Sequence, residues 1–249
     1  MATVEVVPVP KEDLERLLAS AGNAVLIGGQ ALAFWMDHYG IDASDAPDAV
    51  VTRDVDFLGE KQDVERLAAA VGGTVEFPEA MSILTGVVRK RLTAQTEYEV
   101  DVLWRVNGVS AGDIRREAKE HALKSRARFL VMSPIECLVS RLENLRTIQD
   151  KQTPAGIWQV RIALQVARRH IEDLLREGAE KSAIRAATTI LAAATHRMGM
   201  NAFENHGIDV LEAVPVDQFS NQNFTEKQWT LSVARIEKVR KTLGSRRSP

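Results

Sequence analysis

The sequence predicts an α+β fold, with a sheet domain over residues 1–132 and a helical domain over 133–249. Three observations predict it. Short apolar runs fill the first half, and the run at 97–106 opens with strict alternation, Glu97-Tyr98-Glu99-Val100-Asp101-Val102. From Ser133 onward the apolar spacing lengthens to that of amphipathic helices, as in Ile135, Leu138, Val139, Leu142 and Leu145. Strands first and helices afterwards argue for a segregated arrangement.

The elements follow in order. Residues 11–20 place Leu14, Leu17 and Leu18 on one face of a short helix. Ala24-Val25-Leu26-Ile27 is short and apolar enough for a buried strand, and a helix after Gly28-Gly29 runs to about His38, with Gly40 as its stop. Residues 41–50 hold Asp42, Ser44, Asp45, Pro47 and Asp48 and read as a polar loop. A strand at 51–58 leads to a helix at 61–71 that leaves through Gly72-Gly73. Strands follow at 74–77, 83–91 and 97–106, then a short helix at 111–120. Residues 121–124 and 128–132 read as a terminal hairpin or as edge strands. Ser133-Pro134-Ile135-Glu136 combines an N-cap serine, a proline at the first helical position and a glutamate three residues on. Residues 151–156 break the pattern, and helices are expected at 157–176, 180–198 and 225–243.

Composition narrows the class. No apolar run approaches the roughly 18 residues needed to span a bilayer, and the N-terminus lacks the features of a signal peptide, so a cytoplasmic protein without membrane association is expected. The single Cys137 excludes an intramolecular disulfide and a cysteine-rich zinc site, and the five histidines show no metal-ligand spacing. The net charge of −2 conceals an asymmetry. Residues 1–106 carry 9 Lys+Arg against 18 Asp+Glu, and the remainder carries 23 against 16. The basic half either faces an anionic substrate or is simply a solvated helical surface.

The chemistry concentrates between Val25 and Leu58. A strand, a glycine turn at Gly28 and Gly29, and a helix N-terminus make a place where backbone N–H groups face a phosphate. In Arg53-Asp54-Val55-Asp56-Phe57-Leu58 the period of two puts both carboxylates on one strand face. Adjacent carboxylates repel unless something positive lies between them, and a divalent cation serves. Oxygen ligands suit a hard ion such as Mg2+.

A strand with a Gly-Gly turn, an Asp-x-Asp strand and a third strand with an acid between apolar residues together resemble the nucleotidyltransferase superfamily. The resemblance implies a mixed sheet with flanking helices and transfer of a nucleotidyl group from a nucleoside triphosphate to a hydroxyl. It assigns Gly28 and Gly29 to the triphosphate, and Asp54, Asp56 and Asp101 to two Mg2+ ions and catalysis, with Glu99 in place of Asp101 if the register is two residues off. Arg53 joins the nucleotide-binding set. The 24 residues between Gly29 and Asp54 exceed the family's usual gap.

Within the superfamily, Thr52-Arg53-Asp54-Val55-Asp56-Phe57-Leu58 is similar to the matching strand of nucleotidyltransferase-type toxins of abortive-infection toxin–antitoxin systems. That similarity covers mostly residues 24–148 and implies RNA, in particular the tRNA 3′ end, as acceptor and a cognate antitoxin as partner. Arg141 stands where those toxins carry a lysine, and Asp150-Lys151 inverts a later Lys-Asp pair. Arg141 flanks the apolar stripe and Arg146 falls within it, so each needs an anionic partner, a protein carboxylate or a nucleotide phosphate. Lys124 and Lys151 are lesser candidates. Arg168-Arg169-His170 reads as an RNA contact or a solvated face, and Phe34 and Trp35 as packing residues. A small acceptor such as an aminoglycoside, or a silent nucleotide- or partner-binding module, are the alternative functions.

Overall fold

The computed structural model describes residues 4–42, 54–79 and 82–245. Arg53, residues 43–50 of the predicted loop and residues 51–53 of the predicted strand lie outside the described residues. Two compact units are distinguished, Met1–His38 with Asp48–Ser140, and Tyr39–Pro47 with Arg141–Pro249. Among the described residues no helix is long and apolar enough to cross a membrane.

The first unit is built on one mixed sheet of eight strands among the described residues. In chain order its elements are β1 (Glu5–Val6), α1 (Lys11–Ser20), β2 (Val25–Ile27), α2 (Gly28–Tyr39), β3 (Val55–Leu58), α3 (Lys61–Val71), β4 (Thr74–Glu76), β5 (Leu84–Arg91), β6 (Thr96–Leu103), α4 (Ala111–Glu117), β7 (Lys119–Ala122) and β8 (Arg128–Val131). Spatial order is β4-β5-β6-β3-β2-β8-β7, with β1 beside the start of β6. The pairs β3/β6 and β2/β8 are parallel, and β2/β3, β5/β6 and β7/β8 are antiparallel. The residues at 119–131 are thus a hairpin, but β8 lies inside the sheet and only β7 forms its edge. The expected helix at 111–120 ends at Glu117, because Lys119 and Glu120 pair with β8 as strand.

Helix α3 has the predicted bounds. Its first turn is held by the Asp63 carboxylate, which accepts the Glu60 N–H at 2.7 Å. It stops at Gly72, whose φ of 66° is left-handed and favours glycine. Helices α1 and α3 cover one sheet face, over Val88, Tyr98, Val100 and Val102, all fully buried. Asp13 on α1 is buried too, which its place on a short amphipathic helix did not foretell. It accepts from Lys90 Nζ at 2.8 Å and from the Tyr98 hydroxyl at 3.0 Å, tying α1 to β5 and β6. Trp35 on α2 donates its indole N–H to Met132 O at 2.8 Å, and Phe34 packs edge-on to Phe129, so both aromatics are packing residues.

Helix α5 (Pro134–Thr147) follows β8 and opens at Pro134 as expected, and the buried Ser133 before it donates its hydroxyl to the Glu136 carboxylate rather than making the backbone bonds of a capping box. The second unit holds α6 (Pro154–Arg176), α7 (Glu180–Thr195), α8 (Arg197–His206) and α9 (Thr230–Ser245). Helix α6 begins three residues before the expected start, because Thr153 caps it and Pro154 opens it, repeating the Ser133-Pro134 device. The predicted helix at 180–198 breaks at His196, whose extended backbone separates α7 from α8. The predicted last helix starts instead as a wide π-helical stretch at Asn223–Trp229. Arg240 is locked to Asp209 by bonds of 2.8 and 2.9 Å and lies over the Phe203 ring.

Asp13, which is buried, and Glu136, which is partly buried, each generate a stability prediction. Burial alone raises the Asp13 pKa, but the Lys90 and Tyr98 bonds and the Lys90 and Arg16 charges outweigh it and leave the pKa lowered. Its stabilisation is therefore present above the unfolded value, near 3.9, and is lost as pH falls through the folded value. Asp13→Asn should cost about 3 kcal/mol at neutral pH and flatten the acid limb of a denaturation series. Glu136 behaves oppositely. Burial, aided by the Glu117 and Asp113 charges, raises its pKa to about 7. The stabilisation that Glu136 contributes should therefore be lost as pH rises from 4.5 to about 7, and Glu136→Gln should remove that contribution from the pH dependence.

Candidate active site

The two strands that carry the predicted acids are neighbours. Parallel pairing of β3 and β6 sets Val55 beside Val100, Asp56 beside Asp101 and Phe57 beside Val102. Alternation then separates the faces. Val55, Phe57, Val100 and Val102 are at most 1% exposed, while Asp56 and Asp101 are half-buried on the opposite face. Asp54 stands exposed one residue before β3.

Helix α2 starts directly where β2 ends. Antiparallel pairing puts Ile27 beside Asp56, so the next residue, Gly28, meets the Asp56 side chain. A Cβ on Gly28 would lie 2.0 Å from Asp56 Oδ2, and the φ of 68° disfavours any other residue. Gly28 and Gly29 are the first two residues of α2, where helix N–H groups lack intrahelical partners. A helix N-terminus and a pair of carboxylates thus meet at one point of the sheet.

Electrostatics at Asp101 reflect its crowding. Burial raises its pKa, the Glu99 and Asp54 charges add to that, and Arg89 opposes them. In the sheet Asp101 has Val87 on one side and Asp56 on the other. Glu99, the alternative third acid, is engaged by Arg89 Nη2 at 3.1 Å. Arg89 also lies 3.1 Å from Glu76, not aligned for a hydrogen bond, and Arg91 reaches Glu97 at 3.4 Å.

Among the described residues no three His, Cys, Asp or Glu side chains are gathered as a metal-binding group. The pair Asp56 and Asp101 still offers the donor set that Mg2+ uses with a phosphorylated substrate, one or two carboxylates completed by phosphate oxygens. The residues present fit an ion held in that way.

Apart from Lys124, the remaining candidates belong to the second unit. Arg146 is held by the Glu143 carboxylate through bonds of 2.6 and 3.0 Å, so its anionic partner is a protein side chain. Arg141 is buried and donates to Gln159 Oε1 at 3.2 Å. Arg168 and Arg169 both bind Glu172, and Arg168 also donates to Glu212 O at 2.9 Å. Lys124 lies between β7 and β8, and Lys151 in the 3-10 turn Gln149–Lys151. Sequence reasoning missed Arg89. Its signal was present, because a cation between Val88 and Lys90 falls on the acidic face once β5 pairs with β6.

Gly28→Ala should destabilise the protein by about 1–2 kcal/mol from backbone strain alone, and more through displacement of Asp56. In an Asp56→Ala background most of the second part should disappear, because only the Cβ at 3.1 Å remains, and a double-mutant cycle by chemical denaturation measures this. No protein-family model matches this chain, and no curated protein matches it in sequence.

Proposed function

We propose that this protein is a metal-dependent nucleotidyltransferase that moves a nucleotidyl group from a nucleoside triphosphate to a hydroxyl. One observation carries the reading: Asp56 and Asp101 stand in register on adjacent parallel strands, against a helix start with no room for a side chain. A mixed sheet with adjoining helices is also the α+β architecture that the resemblance to the nucleotidyltransferase superfamily implies.

In this reading Asp54, Asp56 and Asp101 hold Mg2+, with two ions as the resemblance implies. The bound metal neutralises the triphosphate and lowers the pKa of the attacking hydroxyl. The first N–H groups of α2, at Gly28 and Gly29, face the phosphates. The acceptor oxygen bonds to the α-phosphorus and pyrophosphate leaves with the electron pair. Asp101, the third acid that the resemblance assigns to catalysis, takes the hydroxyl proton. Arg53 and Arg141 remain the arginines assigned to the nucleotide, whereas the Glu143 bond gives Arg146 a structural part.

The acceptor in this reading is RNA, the tRNA 3′ end, with a cognate antitoxin as protein partner. A second reading has one observation in its favour. The sheet face around Asp101 carries Asp54, Asp56, Glu97, Glu99 and Asp101 against Arg89 and Arg91, and such an acidic face suits a polycationic acceptor of the aminoglycoside kind.

Each labelled nucleoside triphosphate, offered with Mg2+ to total tRNA and to aminoglycosides, tests both readings. Label should pass to one acceptor class, stop on chelation, and fall roughly a hundredfold or more in Asp56→Ala and Asp101→Ala proteins that remain folded. No transfer to either class with Mg2+ or Mn2+ would remove the nucleotidyltransferase reading.

A further inference from the structure

A second surface stands at the other end of the same strands. The Gly59 N–H donates to Leu103 O at 2.9 Å, so β3 and β6 release their chains side by side, one into Glu60-Lys61 and the other into Trp104-Arg105. Trp104 is 52% exposed although its indole N–H is satisfied, donating to Ser82 O at 2.8 Å. The ring is therefore anchored at its nitrogen while about half of the residue stays exposed. Phe77 is also exposed, and the Lys61 ammonium lies 4.6 Å from its centroid. Arg105 is exposed and makes no ion pair with a described residue.

Glu60 also borders a cleft of about 520 Å³ whose lining includes Arg66 and Arg115. Arg66 is steadied by Asp63 and lies against the backbone of Gly22, while Arg115 stands 3.7 Å from the highly exposed Glu60. Both side chains are more than 40% exposed, and a guanidinium has five donors, more than the single carboxylate contact given for each uses. The Arg115–Glu60 pair is loose and solvated, and such pairs contribute little, so an incoming phosphate displaces it at small cost.

We infer that this end of the sheet binds a segment of single-stranded nucleic acid, with unpaired bases on Trp104 and Phe77 and backbone phosphates at Lys61, Arg105, Arg66 and Arg115. Exposed aromatic rings interleaved with cations are what a flexible strand requires, because every base has a π-face and every link a charge. A protein partner fits less well, since the cores of protein interfaces are depleted of charged residues. Double-stranded nucleic acid fits less well again, because its bases are already stacked. The inference stands whether or not the acidic face transfers nucleotides.

The test is fluorescence anisotropy of a labelled hexanucleotide, single- and double-stranded, with the full chain across about 50 to 200 mM salt. The single strand should bind, and binding should weaken steeply as salt rises. Trp104→Ala should reduce affinity roughly tenfold or more, and Trp104→Phe should restore most of it. Arg66→Ala with Arg115→Ala should weaken binding and flatten the salt slope. The Trp104 ring is exposed, so thermal melts of these variants should match the parent. Absence of binding at 50 mM salt, equal binding by the duplex, or a Trp104→Ala protein that binds like the parent would each overturn the inference.

Discussion

Everything at the acidic face depends on the register of β3 against β6. Asp56 beside Asp101 is an unfavourable arrangement by itself, yet the alternative is worse. A slip of β3 by one residue would turn Val55 and Phe57 to the open face and bury the Asp56 carboxylate. Both apolar side chains are at most 1% exposed, burial of each contributes about 1.5–3 kcal/mol, and burying an unpaired carboxylate adds a further cost. Repulsion between two half-exposed carboxylates at an effective dielectric near 20 is on the order of 4 kcal/mol. The core outweighs the repulsion, so a stable fold holds a locally unfavourable charge pair that a bound cation relieves.

Counter-charge on that face is unevenly distributed. Arg89 and Arg91 on β5 stand across from Glu99 and Glu97, the two acids farther back along β6. At the next row the β5 residue is Val87, and Asp101 gains no cation from its own strand pair. The Arg89 charge reaches Asp101 only at a distance and does not overcome burial and the neighbouring acids. The row with the least compensation is also the row beside Gly28, where the helix N-terminus arrives. The sheet thus concentrates its negative potential where α2 presents a positive one.

What was legible in the sequence was local. The period of two in 54–58 and 97–102 set the acids on one face, and Gly72 and Ser133-Pro134 marked helix ends, because each signal lies within a few residues. Two kinds of information were not local. One was register: β3 and β6 lie about 40 residues apart in the chain, and no short pattern states that Asp56 meets Asp101 rather than Glu99. The other was burial of charge. Asp13 looked like part of a polar helix face, and only Lys90 and Tyr98, 77 and 85 residues away, make its burial tolerable. Arg146 is the reverse case. Its partner Glu143 lies one turn earlier in the same helix, within reach of the i,i+3 rule, and the apolar stripe drew attention away from it.

The direction of the strands also explains how one small sheet keeps two surfaces of opposite character. Because β3 and β6 are parallel, both carry their acids before their C-terminal ends and both release the chain at the same edge. Trp104 lies three residues beyond Asp101, roughly 10 Å along the strand at about 3.3 Å per residue. That distance is comparable to the Debye length, about 8 Å at physiological ionic strength. The negative potential of the acids is therefore largely screened where Lys61, Arg105, Arg66 and Arg115 emerge. An antiparallel β3 would have carried its chain out at the opposite edge, separating Lys61 from Trp104. Parallel pairing is what gathers the cations and rings at one end while the carboxylates stay with the glycine turn.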